Sequence, residues 1–229
     1  MKVYAGIVAG GSGSRMGADM PKQYIPLAGT PILVHTARAV SKFADAVYIA
    51  CPESFVEHTA GLIREAGLKN VTVISGGSTR MESIQHILDE ISPEDDDIII
   101  THDGVRPFVC ERILTENIES AKKHLACGTF IPAVDTMCQS DDGSFLTSVP
   151  DRNIMYNVQT PQTFNINLLK KMLSSCEDAE KFTDLCGLAI SMGEKVHMVM
   201  GERNNIKITT PVDLTIAEAI LKGDEDTCV

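Results

Sequence analysis

The residues best placed to do chemistry gather in the first turn of the chain, Ala9-Gly10-Gly11-Ser12-Gly13-Ser14-Arg15-Met16-Gly17, with Pro21-Lys22 just beyond it. A short apolar run, Val3 to Val8, feeds straight into that turn. Glycines at 10, 11 and 13 let the backbone approach a ligand and aim several N–H groups the same way, which cradles phosphate without side chains. Arg15 and Lys22 add fixed positive charge at the same place. The combination points to a polyphosphate, and from there to a nucleotide. Two better-known phosphate loops are excluded. The P-loop needs Gly-Lys-Ser/Thr, and no such triplet occurs. The dinucleotide fingerprint needs a third glycine where Met16 stands, and Pro21 follows soon after. The plain alternative, a Gly-Ser turn at a domain edge, explains neither the strand before the turn nor the two cations after it.

Elements must bring other residues to that turn. The runs Val3–Val8, Ala46–Ala50, Val71–Ile74 and Ile98–Thr101 are short, apolar and β-branched, as buried parallel strands are. Helical patterns alternate with them. Thr30-Pro31 reads as cap and first turn of one, Ser78 as the cap of a second, and residues 111–124 as another. Thr210-Pro211 opens a last helix, with the acidic tail at 223–226 expected to fray. This βαβ series predicts an α/β fold with a doubly wound, mainly parallel, Rossmann-like sheet, in a single domain over residues 1–229. The rhythm breaks at 135–157, a polar stretch with an Asp141-Asp142-Gly143 turn, read as a projecting β-arm. An arm that cannot bury both faces alone implies a homodimer.

In open α/β sheets ligands bind beyond the carboxyl ends of the strands. The glycine turn, the segment His102-Asp103-Gly104-Val105-Arg106-Pro107 and the loop Gly76-Gly77-Ser78-Thr79-Arg80 all follow predicted strands, so three strand ends converge on one crevice. The plain readings are a helix cap for Asp103 and a loop-orienting ion pair for Arg106. Pattern alone makes Lys207 a surface lysine and Thr160-Pro161-Gln162-Thr163 a rigid turn.

Composition bounds the function. The chain has 229 residues and a net charge of −11, which argues against nucleic acid as a partner but not against a nucleotide held by local cations. The run Glu94-Asp95-Asp96-Asp97 reads as a solvated turn sooner than a metal site. Seven cysteines with no C-x-x-C pair indicate free thiols and a cytoplasmic location. Glycines at 6, 10 and 11 break the apolar N-terminus too early for a signal peptide, and no segment is long enough to span a membrane.

The series AGGSGSRMG…PKQY, HDGVRPF, AVDT, DRN, QTPQTF and NIKITTPVDL, in order over nearly the whole chain, closely resembles the cytidylyltransferases that act on polyol phosphates. That family includes enzymes for 2-C-methyl-D-erythritol 4-phosphate in isoprenoid synthesis and for ribitol 5-phosphate in surface-polymer synthesis. The resemblance implies that CTP and a polyol phosphate give a CDP-polyol and pyrophosphate, with Mg2+. It implies that Ala9, Gly10, Gly11, Ser12, Gly13 and Ser14 hold the triphosphate, with Arg15 and Lys22 gripping it and Lys207 at the α-phosphate. Gly77, Ser78 and Ser83 would surround the cytosine, Asp103 would lie near the ribose and the acceptor, and Arg106 would belong to the nucleotide side. Thr136 and Arg152 would reach the acceptor from the partner's arm, and Thr160 and Thr183 would lie near it. The nucleophile is a phosphate oxygen already ionised at neutral pH, so no general base is required. Ala9-Gly10-Gly11, Val134 before Asp135-Thr136, and Gln159 to Phe164 lean towards ribitol 5-phosphate as acceptor. The competing readings are an inactive nucleotide-binding regulator, a transferase for another base or a sugar 1-phosphate, and a dinucleotide oxidoreductase.

Overall fold

The computed structural model describes residues 1–11, 20–176 and 178–226. Ser12, Gly13, Ser14 and Arg15 of the glycine turn lie outside the described residues.

Seven strands form one sheet: β1 (Val3–Val8), β4 (Ala46–Cys51), β5 (Val71–Ser75), β6 (Ile98–Asp103), β7 (Ala126–Pro132), β8 (Tyr156–Asn165) and β9 (His197–Met200). Its order is β5-β4-β1-β6-β8-β7-β9. The first four neighbours are parallel, as the apolar runs predict, and β8 enters antiparallel between β6 and β7. Strand β9 then pairs parallel with β7.

Alternation along β1 shows why the sheet is covered on both faces. Ala5 and Ile7 point into a cluster with Leu33, Ala37 and Val40 of α1 (Ile32–Ser41), Ile63 of α2 (Val56–Glu65), and Ile113 and Leu114 of α4 (Glu111–His124). Tyr4 points the other way, into a cluster with Ile84, Ile87 and Leu88 of α3 (Arg80–Asp89), Leu169 of α5 (Ile166–Ser175) and Leu188 of α6 (Leu185–Ser191). Full burial of each such Leu or Ile contributes about 1.5–3 kcal/mol. The last helix, α7 (Pro211–Asp226), sets Ala217 against Leu27, Ile32, Val105 and Ile208. It continues through Asp226, beyond the expected fraying point.

Two helix starts differ from expectation. Thr30 and Pro31 form a short strand, β3 (Thr30–Pro31), paired with β2 (Pro26–Leu27) around Ala28 and Gly29, whose φ values are 49° and 80°. Pro31 has ψ 140°, extended and not helical, so α1 begins only at Ile32. Helix α3 is capped by Thr79 and not by Ser78. Thr79 Oγ1 accepts the Glu82 N–H at 3.1 Å while the Glu82 carboxylate accepts the Thr79 N–H at 3.2 Å, a reciprocal capping box. Ser78 instead donates to the same carboxylate at 2.6 Å.

The acidic run closes a turn: Asp97, 1% exposed, accepts the Lys2 and Glu94 N–H groups at 2.5 and 2.9 Å. Between β7 and β8 the backbone makes one antiparallel bridge, Gln139 to Ser148, in place of two full strands. Asp142 closes its tip by accepting the N–H groups of Ser144 and Phe145. Val134, Met137, Phe145, Leu146, Val149 and Ile154 are all exposed along this excursion. Among the described residues no helix is long and apolar enough to cross a membrane.

Candidate active site

The strand ends converge as expected. At the carboxyl end of β1, the Ala9 N–H donates to Ala50 O at 2.8 Å, which fixes the exit into the glycine turn. Gln23 Nε2, 1% exposed, donates to Ala9 O at 2.6 Å, so the chain that leaves at Ala9 is tied to the chain that returns beside Lys22. Beneath them Tyr24 packs on Phe55, ring centroids 4.9 Å apart, and its hydroxyl meets Thr59 Oγ1 at 2.8 Å. Burial pushes the Tyr24 phenol up to about 12.

These elements enclose a cavity of about 290 Å3 lined by Ala9, Gly10, Gly11, Lys22, Gly77, Ser78, Ser83, Asp103 and Lys207. A Cβ on Gly77 would sit 2.2 Å from Glu82 Cβ, so the capping box itself requires glycine there. Gly10 and Gly11 differ: among the described residues a Cβ on either would meet no atom closer than 3.6 Å. At Gly10 and Gly11 the described part of this wall is backbone, as an anion cradle requires. Ser83 Oγ, by contrast, is spent on protein, accepting the Gly77 N–H at 3.1 Å and donating to Thr79 O at 2.9 Å.

A second cavity of about 180 Å3 adjoins, lined by Arg106, Thr160, Gln162, Thr183 and Asp184. Arg80, Asp103 and Lys207 line both cavities and form their common wall. Asp103 stands at the centre. Its carboxylate pairs with Arg80, with Lys207 Nζ at 3.0 Å and with Arg106 Nε at 3.4 Å. Burial alone would raise the Asp103 carboxyl, but Arg80, Lys207 and Arg106 overcome it and hold the group well below the usual carboxylate range. Asp103 is thus ionised whenever the protein is folded near neutral pH.

Arg106 lines the second cavity and not the first. Its Nη1 donates to Asn205 O at 2.7 Å. Fully buried Asn205 also donates from Nδ2 to Thr160 O at 2.9 Å, which ties the approach to Lys207 to the middle of β8. There the register passes from Gly128↔Gln162 to Thr129↔Gln159, so Thr160 and the cis-linked Pro161 are extra residues on β8. Such a bulge re-aims a side chain, here Thr160 towards the end of β6. Thr136 and Arg152 line neither cavity of their own chain; Arg152 Nη1 donates to Val134 O at 3.1 Å beside a separate hollow. Arg80, Gln23, His102 and Asn205 were not singled out from sequence as site residues. Only Thr79-x-x-Glu82, a capping-box pattern, offered a readable signal for where Arg80 stands.

Among the described residues no group of three or more His, Cys, Asp or Glu side chains could hold a metal ion. Asp103 is the only carboxylate among the described residues lining the first cavity, and three cations already occupy it. What the site offers is cationic side chains and backbone around two adjoining cavities, which suits binding and joining two phosphorylated molecules.

Comparison with known proteins agrees. The profile of the IspD family, described as 2-C-methyl-D-erythritol 4-phosphate cytidylyltransferase, matches residues 3–223. A solved 4-diphosphocytidyl-2C-methyl-D-erythritol synthase from Anaerococcus prevotii is 31% identical, with 96% of each chain covered and a TM-score of 0.84. The 2-C-methyl-D-erythritol 4-phosphate cytidylyltransferase of Thermus thermophilus is 28% identical over 97% of this chain and 100% of that one, with a TM-score of 0.78. The Francisella tularensis enzyme of the same name is 27% identical over 96% and 99%, with a TM-score of 0.79. The chain belongs to the IspD family of cytidylyltransferase enzymes.

Proposed function

We propose that this chain transfers CMP from CTP to 2-C-methyl-D-erythritol 4-phosphate, releasing pyrophosphate, as a step of isoprenoid synthesis. The observation that carries the reading is the shared wall of Arg80, Asp103 and Lys207 between two cavities, one built on the glycine turn and one on Thr160 and Thr183. A triphosphate in the first and a phosphate in the second would meet at that wall.

The choice of acceptor follows the relatives and reverses the leaning towards ribitol 5-phosphate. One of the sequence cues has weak physical standing: Gly10 lines the first cavity and not the second.

The chemistry needs charge neutralised, since an anion must attack a polyanion. Lys22 and Lys207 line the cavity where that charge would sit and would stabilise the charge growing on the reacting phosphorus. Arg15 would act beside them. Mg2+ would fit as the counter-ion of the triphosphate, held mainly by phosphate oxygens, because Asp103, the only carboxylate among the described residues lining that cavity, already pairs with three cations. It would supply neutralisation of phosphate charge.

Thr136 and Arg152 would serve the acceptor of a partner subunit, with the exposed apolar side chains at 134–154 seated on that partner in a homodimer. The six described cysteines are unpaired, which suits a reducing cytoplasm.

The test is pyrophosphate release from CTP and Mg2+ with each acceptor alone. A higher kcat/KM with methylerythritol phosphate is expected. Preference for ribitol 5-phosphate would overturn the acceptor, and CTP binding without turnover on either would favour the inactive regulator. Mixing Arg152→Ala and Lys207→Ala subunits tests the arm: activity regained in mixed dimers is expected, and none would refute action in trans.

A further inference from the structure

Thr160 forms part of the second cavity's wall, and its hydrogen-bond role is already decided by a residue behind it. His102, in β6, is fully buried and both its ring nitrogens are engaged. Nε2 lies 3.1 Å from the carbonyl oxygen of Arg106. A carbonyl only accepts, so Nε2 carries the proton. Nδ1 must then present a lone pair, and Thr160 Oγ1 lies 3.0 Å from it. The hydroxyl therefore spends its one proton on His102. The same oxygen accepts the Asp103 N–H at 3.1 Å. The relay runs from Asp103 N–H to Thr160, from Thr160 O–H to His102, and from His102 to Arg106 C=O, and each link sets the polarity of the next. Thr160 is left with one lone pair and no proton.

We propose that His102 is a positioning residue that fixes Thr160 as a hydrogen-bond acceptor, so that the second cavity selects a substrate presenting a hydroxyl donor to that wall. The selection rests on the proposed reaction; the relay does not. Burial lowers His102 to about 4, against the opposing pull of its bond to Arg106 and the nearby Asp103 carboxylate, so the ring stays neutral near pH 7. Arg106 and Arg80, the other charges facing it, also favour the neutral form. The relay joins two distant parts of the chain: His102 and Asp103 on β6 with Arg106 on the loop after β6, and Thr160 on the β8 bulge. It therefore holds the wall of the second cavity in register with Asp103.

Two measurements test this. Imidazole 15N shifts of the histidine-labelled wild type read the tautomer with no substrate present. A single Nε2–H form of His102, unchanged between about pH 5.5 and 8.5, is expected; an Nδ1–H form, or titration in that range, overturns the relay. The second is kinetic. Thr160→Val and His102→Gln, which remove the hydroxyl or its acceptor, should raise the KM for the polyol phosphate about tenfold and leave the KM for CTP unchanged. His102→Asn, able to place an oxygen near the Nδ1 position, should recover most of the loss. CTP KM rising in step, or no effect of Thr160→Val, would overturn the selection. Should the His102 variants not fold, Thr160→Val and the 15N shifts still decide. A wild type inactive on every polyol phosphate would overturn the reaction and the selection together, while the tautomer would still report on the relay.

Discussion

Asp103→Asn should destabilise the protein at neutral pH, and the size of the loss follows from its neighbours. The Asp103 side chain is 8% exposed and pairs with Arg80, Lys207 and Arg106. At an effective dielectric of about 20, a pair at the 3.4 Å of Arg106 is worth about 5 kcal/mol before desolvation is charged against it. Lys207 is 44% exposed, so solvent screens its share heavily. Removing one partner of a buried pair typically costs about 3–5 kcal/mol. We take the lower end, about 3 kcal/mol, which for a chain of this size is a fall in Tm of about 6–12 °C. The pH dependence has a definite sign. The folded Asp103 pKa is depressed, so its stabilisation is fully present above the unfolded value of about 3.9 and fades as pH falls below it. The wild-type advantage over Asp103→Asn should therefore hold from pH 8 down to about 5 and shrink below about pH 4. Thermal unfolding by circular dichroism across that range measures it. A variant melting within 2 °C of wild type at pH 7, or a gap that widens in acid, would refute the reasoning.

Lys22→Ala and Lys207→Ala should fold normally yet lose kcat by about a hundredfold or more, read as pyrophosphate release. Gly11→Ala should leave the Tm unchanged, because its Cβ clears Lys22 Cε by 3.6 Å, but should weaken CTP binding about tenfold by filling the cradle, as titration calorimetry would show. Tyr24→Phe should cost about 1 kcal/mol in denaturant unfolding for the lost bond to Thr59. The wild-type Tyr24 should show no tyrosinate absorbance below about pH 10, since burial pushes it up to about 12.

The four parallel strands and α4 were legible because local pattern and burial agree: Ile98, Ile99 and Ile100 are apolar in sequence and buried in β6. The start of α3 differs from the expected Ser78 cap although the signal for Thr79 is present in the sequence. Thr79 has Glu82 three positions on, while Ser78 has Met81. The antiparallel entry of β8 was not legible, since its register with β6 joins Ile98 to Asn165 across the chain and leaves no local mark. The convergence of three strand ends was legible from topology alone, and Asp103 stands where they meet. Arg80 and His102 were not, because their roles come from partners distant in sequence, Asp103 for one and Thr160 for the other. Thr136 and Arg152, which the resemblance assigns to the acceptor, line neither cavity of their own chain, because such a role runs between subunits and leaves no mark within one.

The most direct test of the central claim is product identity in a single reaction. CTP, Mg2+, 2-C-methyl-D-erythritol 4-phosphate and ribitol 5-phosphate, the two acceptors at equal concentration, would be incubated with the wild type and followed by 31P NMR with mass analysis of the products. The account predicts pyrophosphate together with the cytidine diphosphate of methylerythritol as the main product. Cytidine diphosphate ribitol as the main product, or no phosphoanhydride product at all, would contradict it.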